Sequence, residues 1–100
     1  MQEFLYKLQL IRGDMLLAGP TPQEQAVVAE HFAYLQDLTA KGLVILVGRT
    51  LTTDENTMGL AVFRAESEDA ARQIMNGDPA VKKGMMTATL YPFKVVLQGK

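Results

Sequence analysis

The chain has no cysteine and only one histidine among its 100 residues. Without cysteine there is no disulfide framework, no thiolate nucleophile and no Cys-based zinc site, and a lone histidine excludes paired-imidazole motifs such as H-E-x-x-H. A metal would have to rest on one imidazole and carboxylates, and none is expected. An excess of one charge is also missing. Ten Lys plus Arg against eleven Asp plus Glu leave a net charge of -1, and no basic run follows a phosphate backbone, so nucleic acid is not an expected partner. No apolar run approaches the ~18 residues of a membrane span, and Met1-Gln2-Glu3-Phe4 lacks a positive segment followed by an apolar one. These features lead us to expect a cytoplasmic protein without a membrane partner. Gly13, Gly19 and Gly77 form neither G-x-G-x-x-G nor a P-loop, so no nucleotide or redox cofactor is expected.

What is present is the composition of a soluble globular domain, 48% hydrophobic and 21% charged. The length suits one domain over residues 1–100, with a thin core, because a chain of this size buries only roughly 60–70% of its unfolded surface. Phe4, Tyr6, Leu8 and Leu10 alternate with Glu3, Lys7 and Gln9, the period-2 pattern of a strand over about Glu3 to Arg12. A loop punctuated by Gly13-Asp14 and Gly19-Pro20 follows, and its middle, Met15-Leu16-Leu17-Ala18, is apolar enough to expect a cover. Thr21, Pro22 and Glu24 supply an N-cap, a first-turn proline and a reciprocal capping carboxylate for a helix that reaches about Lys41 and ends at Gly42.

Leu43 to Val47 is a branched aliphatic run too short for a helix and reads as a strand buried on both faces. A polar connection, Thr52 to Thr57, joins it as a hairpin to a third strand, Met58 to Ala65. Ser67 caps a second helix with Glu68 and Asp69 in its first turn and Ala70, Ala71 and Ile74 on its buried side, and Asn76-Gly77 stops it. Met85 to Gln98 is the last strand material, with Pro92 confined to an edge or bend. The order β-α-β-β-α-β with right-handed crossovers is a ferredoxin-like α+β fold, a four-stranded antiparallel sheet with two helices on one face. The other face carries Leu5, Ile11 and one side of Leu43 to Val47. Packing it against a second copy keeps it from water and predicts a homodimer through the sheets, of the dimeric α+β barrel type. The alternative is a monomer in which the loop around Leu16 or the C-terminal segment folds over that face.

His31 is the residue that stands out. It shares a helix face with Val27, Tyr34, Leu35 and Leu38, where a leucine would ordinarily sit, and a ring placed there needs a polar partner. Asp78, just after the second helix in Asn76-Gly77-Asp78-Pro79, can reach it across the helix pair. A carboxylate fixes the imidazole tautomer and stabilises the imidazolium, so the pair suits general acid/base catalysis. The plainer alternatives are a structural hydrogen bond, and an Asp-Pro turn whose carboxylate caps the next backbone N–H groups. Arg12 and Arg49, at strand ends, are candidates for holding an anionic substrate, and Tyr6 and Tyr34 for offering it a hydroxyl, against solvated-charge and core readings respectively. Met85-Met86 reads as adaptable packing, including at a dimer seam.

His31-Phe32-Ala33-Tyr34-Leu35-Gln36-Asp37-Leu38 with Gly42-Leu43 and Gly48, then Ala70-Ala71, Asp78-Pro79, Val81, Gly84 and Tyr91-Pro92-Phe93, together resemble the YciI-like (YCII-related) family over nearly the whole chain. The loop between the first strand and first helix is longer and more apolar than that pattern. The resemblance implies a ferredoxin-like fold, usually dimeric, with a histidine and an aspartate as acid/base dyad, here His31 and Asp78. Some members resemble muconolactone-isomerase-like or dehydrochlorinase enzymes acting on small ring compounds. The expected function is therefore proton transfer by His31 on a small ring metabolite, anionic ones included, in isomerisation or elimination. A non-catalytic ligand-binding or regulatory module, and a structural dimer fixed by the polar pair, are the other readings.

Overall fold

The computed structural model describes residues 1–11, 19–54 and 56–99. The order is β1 (Gln2–Leu10), α1 (Pro22–Ala40), β2 (Val44–Arg49), β3 (Gly59–Ala65), α2 (Glu68–Gly77), a short α3 (Pro79–Lys82) and β4 (Met86–Phe93). The four strands form one antiparallel sheet in the order β2-β3-β1-β4. This is the ferredoxin-like arrangement, with one helix more than the sequence pattern suggests. The apolar loop Met15 to Ala18 and Arg12 lie outside the described residues.

Alternation along β1 divides the sheet into two faces. Phe4, Tyr6 and Leu8 are buried on the helix side with Ala61, Phe63 and Ala65 of β3, Leu35 and Leu38 of α1, and Ala71 and Met75 of α2. The Tyr6 ring lies 5.5 Å from that of Phe63. Both N-caps form as their residue types dictate. The Thr21 hydroxyl accepts from the Glu24 N–H while the Glu24 carboxylate accepts from the Thr21 N–H, and the Ser67 hydroxyl accepts from the Ala70 N–H. Gly42 turns the chain out of α1 at φ 78°, the left-handed conformation that glycine adopts without steric cost. Pro92 lies in β4, an edge strand bonded to β1 alone, where its missing N–H breaks no second ladder.

β2 departs from the expectation of burial on both faces. Val44 is buried, but Leu46 and Val47 are 52% and 46% exposed. The strand is the other edge of the sheet, its register shifts between Val44 and Leu46, and beyond Val44 the helical layer no longer covers it. Met85 and Met86 also differ from a dimer-seam reading. Met85 is buried and Met86 packs with Leu10, Val27 and Ala80 on the helix side.

The outer face pairs Leu5 with Val62 on one side and Tyr91 on the other, and Leu46 with Val62. Residues 94–99 cross part of this face. The Val95 N–H donates to Glu3 at 2.9 Å, and a cavity of about 560 Å³ separates residues 93–99 from Ile45, Leu46 and Val62. The C-terminal segment therefore supplies some of the cover that the sequence calls for, while Leu46, Tyr91 and Phe93 stay 43–52% exposed.

Because the capping box satisfies donors at both ends of its loop, Thr21→Ala should lower stability by about 1 kcal/mol. The expected readout is a lower urea midpoint with an unchanged slope. An unchanged midpoint would show that the box adds nothing to the start of α1.

Candidate functional site

The site begins with the way α2 ends. Gly77 closes the helix, Asp78 leaves it in an extended conformation, and Pro79 starts α3 with φ already set for a helix. Asp78 is thus the N-cap of α3, and its Oδ1 accepts from the Ala80 N–H at 3.0 Å. The capping role and the histidine partnership are both realised by the same carboxylate. Nδ1 of His31, on α1, lies 2.7 Å from Oδ1 and 2.8 Å from Oδ2. From β1 below, the Tyr6 hydroxyl donates to Oδ2 at 2.8 Å.

Asp78 is 0% exposed and the His31 side chain 15%. The carboxylate is sealed, then, while the histidine side chain keeps part of its surface in contact with solvent. Nδ1 is taken up by Asp78, and Nε2 has no hydrogen-bond partner among the described residues. Since an ionised carboxylate can only accept, the hydrogen between the two belongs on Nδ1 and the lone pair of the neutral ring on Nε2. Burial, the Asp78 charge and the bond to Asp78 together push the Tyr6 phenol far above the ordinary tyrosine range. Burial and then the Asp78 charge push Tyr34 upward too.

The surroundings are mostly apolar. Val27, one turn before His31, packs against the apolar cluster of Ala80 and Met85, as do Leu10 and Met86. At the rim, Lys83 donates to both carboxylate oxygens of Glu30 at 2.8 and 3.0 Å and ties α1 to the turn after α3. Among the described residues no three His, Cys, Asp or Glu side chains gather to hold a metal ion, and no helix is long and apolar enough to cross a membrane.

The residues singled out from sequence fall in different places. His31 and Asp78 are joined. Tyr6 reaches the same site from the inside, its ring wholly buried and its hydroxyl spent on Asp78, so it stands under the carboxylate and offers nothing to a substrate. The half-buried Tyr34 donates to the Ile74 carbonyl at 2.7 Å. A Cβ at position 77 would lie 3.0 Å from that hydroxyl, a reason for glycine there. Arg49 is exposed on β2, opposite Gly59 and, one strand further, level with Leu8, so it shares the sheet face of Tyr6 but is separated from β1 by β3. The cap read as an alternative role for Asp78 is the bond from the Ala80 N–H, and what sequence reasoning missed is the bond from the Tyr6 hydroxyl to Asp78. The alternation of β1, which already put Tyr6 among buried side chains, was the signal that its hydroxyl needed an internal partner.

The model of the YCII-related domain matches residues 8–94, and the chain belongs to that family. Among solved structures it is similar to 5-chloro-2-hydroxyhydroquinone dehydrochlorinase (TftG) from Burkholderia phenoliruptrix AC1100, in complex with 2,5-dihydroxybenzoquinone. The identity is 23%, the TM-score 0.65, and the match covers 91% of this chain and 93% of that one. It is also similar to SnoaB, a cofactor-independent oxygenase from Streptomyces nogalater, at 12% identity and TM-score 0.50, over 98% of this chain and 97% of that one. Both are likenesses of fold. No curated protein sequence matches significantly.

The raised Tyr6 phenol carries a stability consequence. The folded chain keeps this proton while the unfolded chain ionises near the ordinary tyrosine value of 10.0. The stabilisation is complete below that pH and is lost as pH rises above it. Chemical denaturation at increasing alkaline pH should therefore show stability falling from about pH 10 upward, with a shallower fall in Tyr6→Phe. Equal slopes in the two proteins would contradict the buried, protonated phenol.

Proposed function

We propose that this protein is a small enzyme in which His31, oriented by Asp78, moves a proton on a small ring metabolite. The observation that carries the reading is a half-sealed pair, with Nδ1 held within 2.8 Å of both oxygens of a wholly buried carboxylate while the His31 side chain keeps 15% of its surface exposed. Nε2 takes the proton from an acidic C–H or O–H of the bound ring. Asp78 stabilises the imidazolium that forms, without itself taking the proton. Return of the proton to another ring atom completes an isomerisation, and return to the solvent, after a leaving group has departed with its electron pair, completes an elimination. The apolar cluster of Ala80 and Met85 with Leu10, Val27 and Met86, which Val27 joins one turn before His31, suits the face of an unsaturated ring, in keeping with the ring compound named for TftG. For an anionic substrate, Arg49 on the same sheet face is the side chain that would meet the carboxylate or phenolate.

The working unit in this proposal is a homodimer joined through the outer faces of its sheets. Leu46, Tyr91 and Phe93, with Val96 and Leu97 at 78% and 93% exposure, make an apolar surface that a second copy would remove from water.

His31→Gln keeps the size and hydrogen-bonding capacity of the side chain and removes the titrating group. In a screen of small hydroxylated rings, acids and lactones, we expect turnover to fall by roughly 10²–10⁴, with the variant sedimenting, like the wild type, at twice the chain mass. Retained turnover would make the pair scaffolding. Binding without turnover in either protein would favour a ligand-binding module, and a monomer in both would remove the sheet-packing element.

A further inference from the structure

We infer that Tyr6 is a positioning residue, whose buried hydroxyl locks the Asp78 carboxylate in the orientation that serves His31 and sets the pH at which the imidazole gains its proton. The inference rests on the reading of His31 as the acid/base. It starts from a side chain that hydrophobic packing does not explain. Tyr6 is wholly buried between Phe4 and Leu8 on its strand, and its ring contact with Phe63 uses only the ring. Phenylalanine would fill the same volume. The hydroxyl has one partner, Oδ2 of Asp78 at 2.8 Å.

That bond completes a three-point hold on the carboxylate. The Ala80 N–H fixes Oδ1 at 3.0 Å and Tyr6 fixes Oδ2, from α3 and β1 respectively. With both oxygens tethered, the carboxylate plane cannot turn, and Nδ1 sits almost equally far from the two at 2.7 and 2.8 Å. Without Tyr6 the carboxylate could pivot about Oδ1. Burial and the Asp78 charge hold the phenol protonated well beyond neutrality, so it remains a donor at neutral pH and below.

The donor also has an electrostatic effect. A hydrogen bond to Oδ2 draws negative charge away from the carboxylate and weakens its pull on the imidazolium. The other polar groups about the pair, among the described residues, leave this control to Tyr6. From α1, Tyr34 is committed to Ile74 of α2 and Glu30 is neutralised by Lys83 of the turn after α3. The residues of β3 and β4 that face the core here, Ala61, Phe63, Met86, Ala88 and Leu90, carry no charge.

The test follows the His31 imidazole resonances by NMR across pH in the wild type, in Tyr6→Phe, and in a Tyr34→Phe/Tyr91→Phe protein grown with either tyrosine or 3-fluorotyrosine. In the last protein Tyr6 is the sole tyrosine of the three in the chain. Loss of the hydroxyl should raise the midpoint by about 0.5–1 pH unit. Fluorination makes the phenol a stronger donor and should lower the midpoint relative to the unfluorinated parent. A merely structural tyrosine would not move the midpoint in opposite directions. Unchanged midpoints, or shifts of the same sign, overturn the inference, and if Tyr6→Phe does not fold, the fluorotyrosine pair decides alone. Turnover is not measured here, so a Tyr6 effect in a protein without catalysis would count against the enzymatic reading and not against the positioning.

Discussion

A carboxylate with no solvent exposure is the constraint on which the rest of this molecule depends. Burying an ionised group costs several kcal/mol unless donors replace its water. Asp78 meets that demand with three donors from three elements: the Tyr6 hydroxyl of β1, Nδ1 of His31 on α1 and the Ala80 N–H of α3. The geometry in turn fixes those elements against one another, because hydrogen bonds to a charged group are worth roughly 1.5–3 kcal/mol each and are lost if any one element shifts. The same arrangement commits Nδ1 of His31 inward, while Nε2 has no hydrogen-bond partner among the described residues.

The apolar surroundings give this polar cluster its meaning. Leu10, Val27 and Met86 pack against Ala80 and Met85 in a small apolar cluster, while the main core around Tyr6 is built from phenylalanine, leucine, alanine, valine and methionine. A line of polar atoms runs from Tyr6 through Asp78 to His31. Membership of the YCII-related family and the ferredoxin-like fold agree with this architecture, in which the helices cover one sheet face and the other is left for residues 94–99 and further apolar contact.

Much of this was legible from residue types. The alternation of β1, the capping box at Thr21, the Ser67 cap and the edge position of Pro92 follow from local chemistry that tertiary packing did not override. His31 and Asp78 could be paired because a histidine in an apolar stripe requires a partner and only one carboxylate followed the neighbouring helix. What could not be read was that the second strand also forms a sheet edge. Leu43 to Val47 has the composition of an interior strand, yet lies at an edge where burial ends after Val44. The four residues of α3 were too few to register as a periodic pattern, although Asp78-Pro79 was already read as a cap and turn. Tyr6 was a candidate for the pocket as well as for the core, and the structure puts its ring in the core, where its hydroxyl meets Asp78.

The central claim is that Asp78 commits one imidazole nitrogen and leaves the other basic. Nitrogen-15 NMR of His31, at a pH where the ring is neutral, measures this directly. The account predicts a single tautomer with the proton on Nδ1 and an unprotonated Nε2. A ring protonated on Nε2, or an even mixture of the two tautomers as in a free histidine, would contradict it.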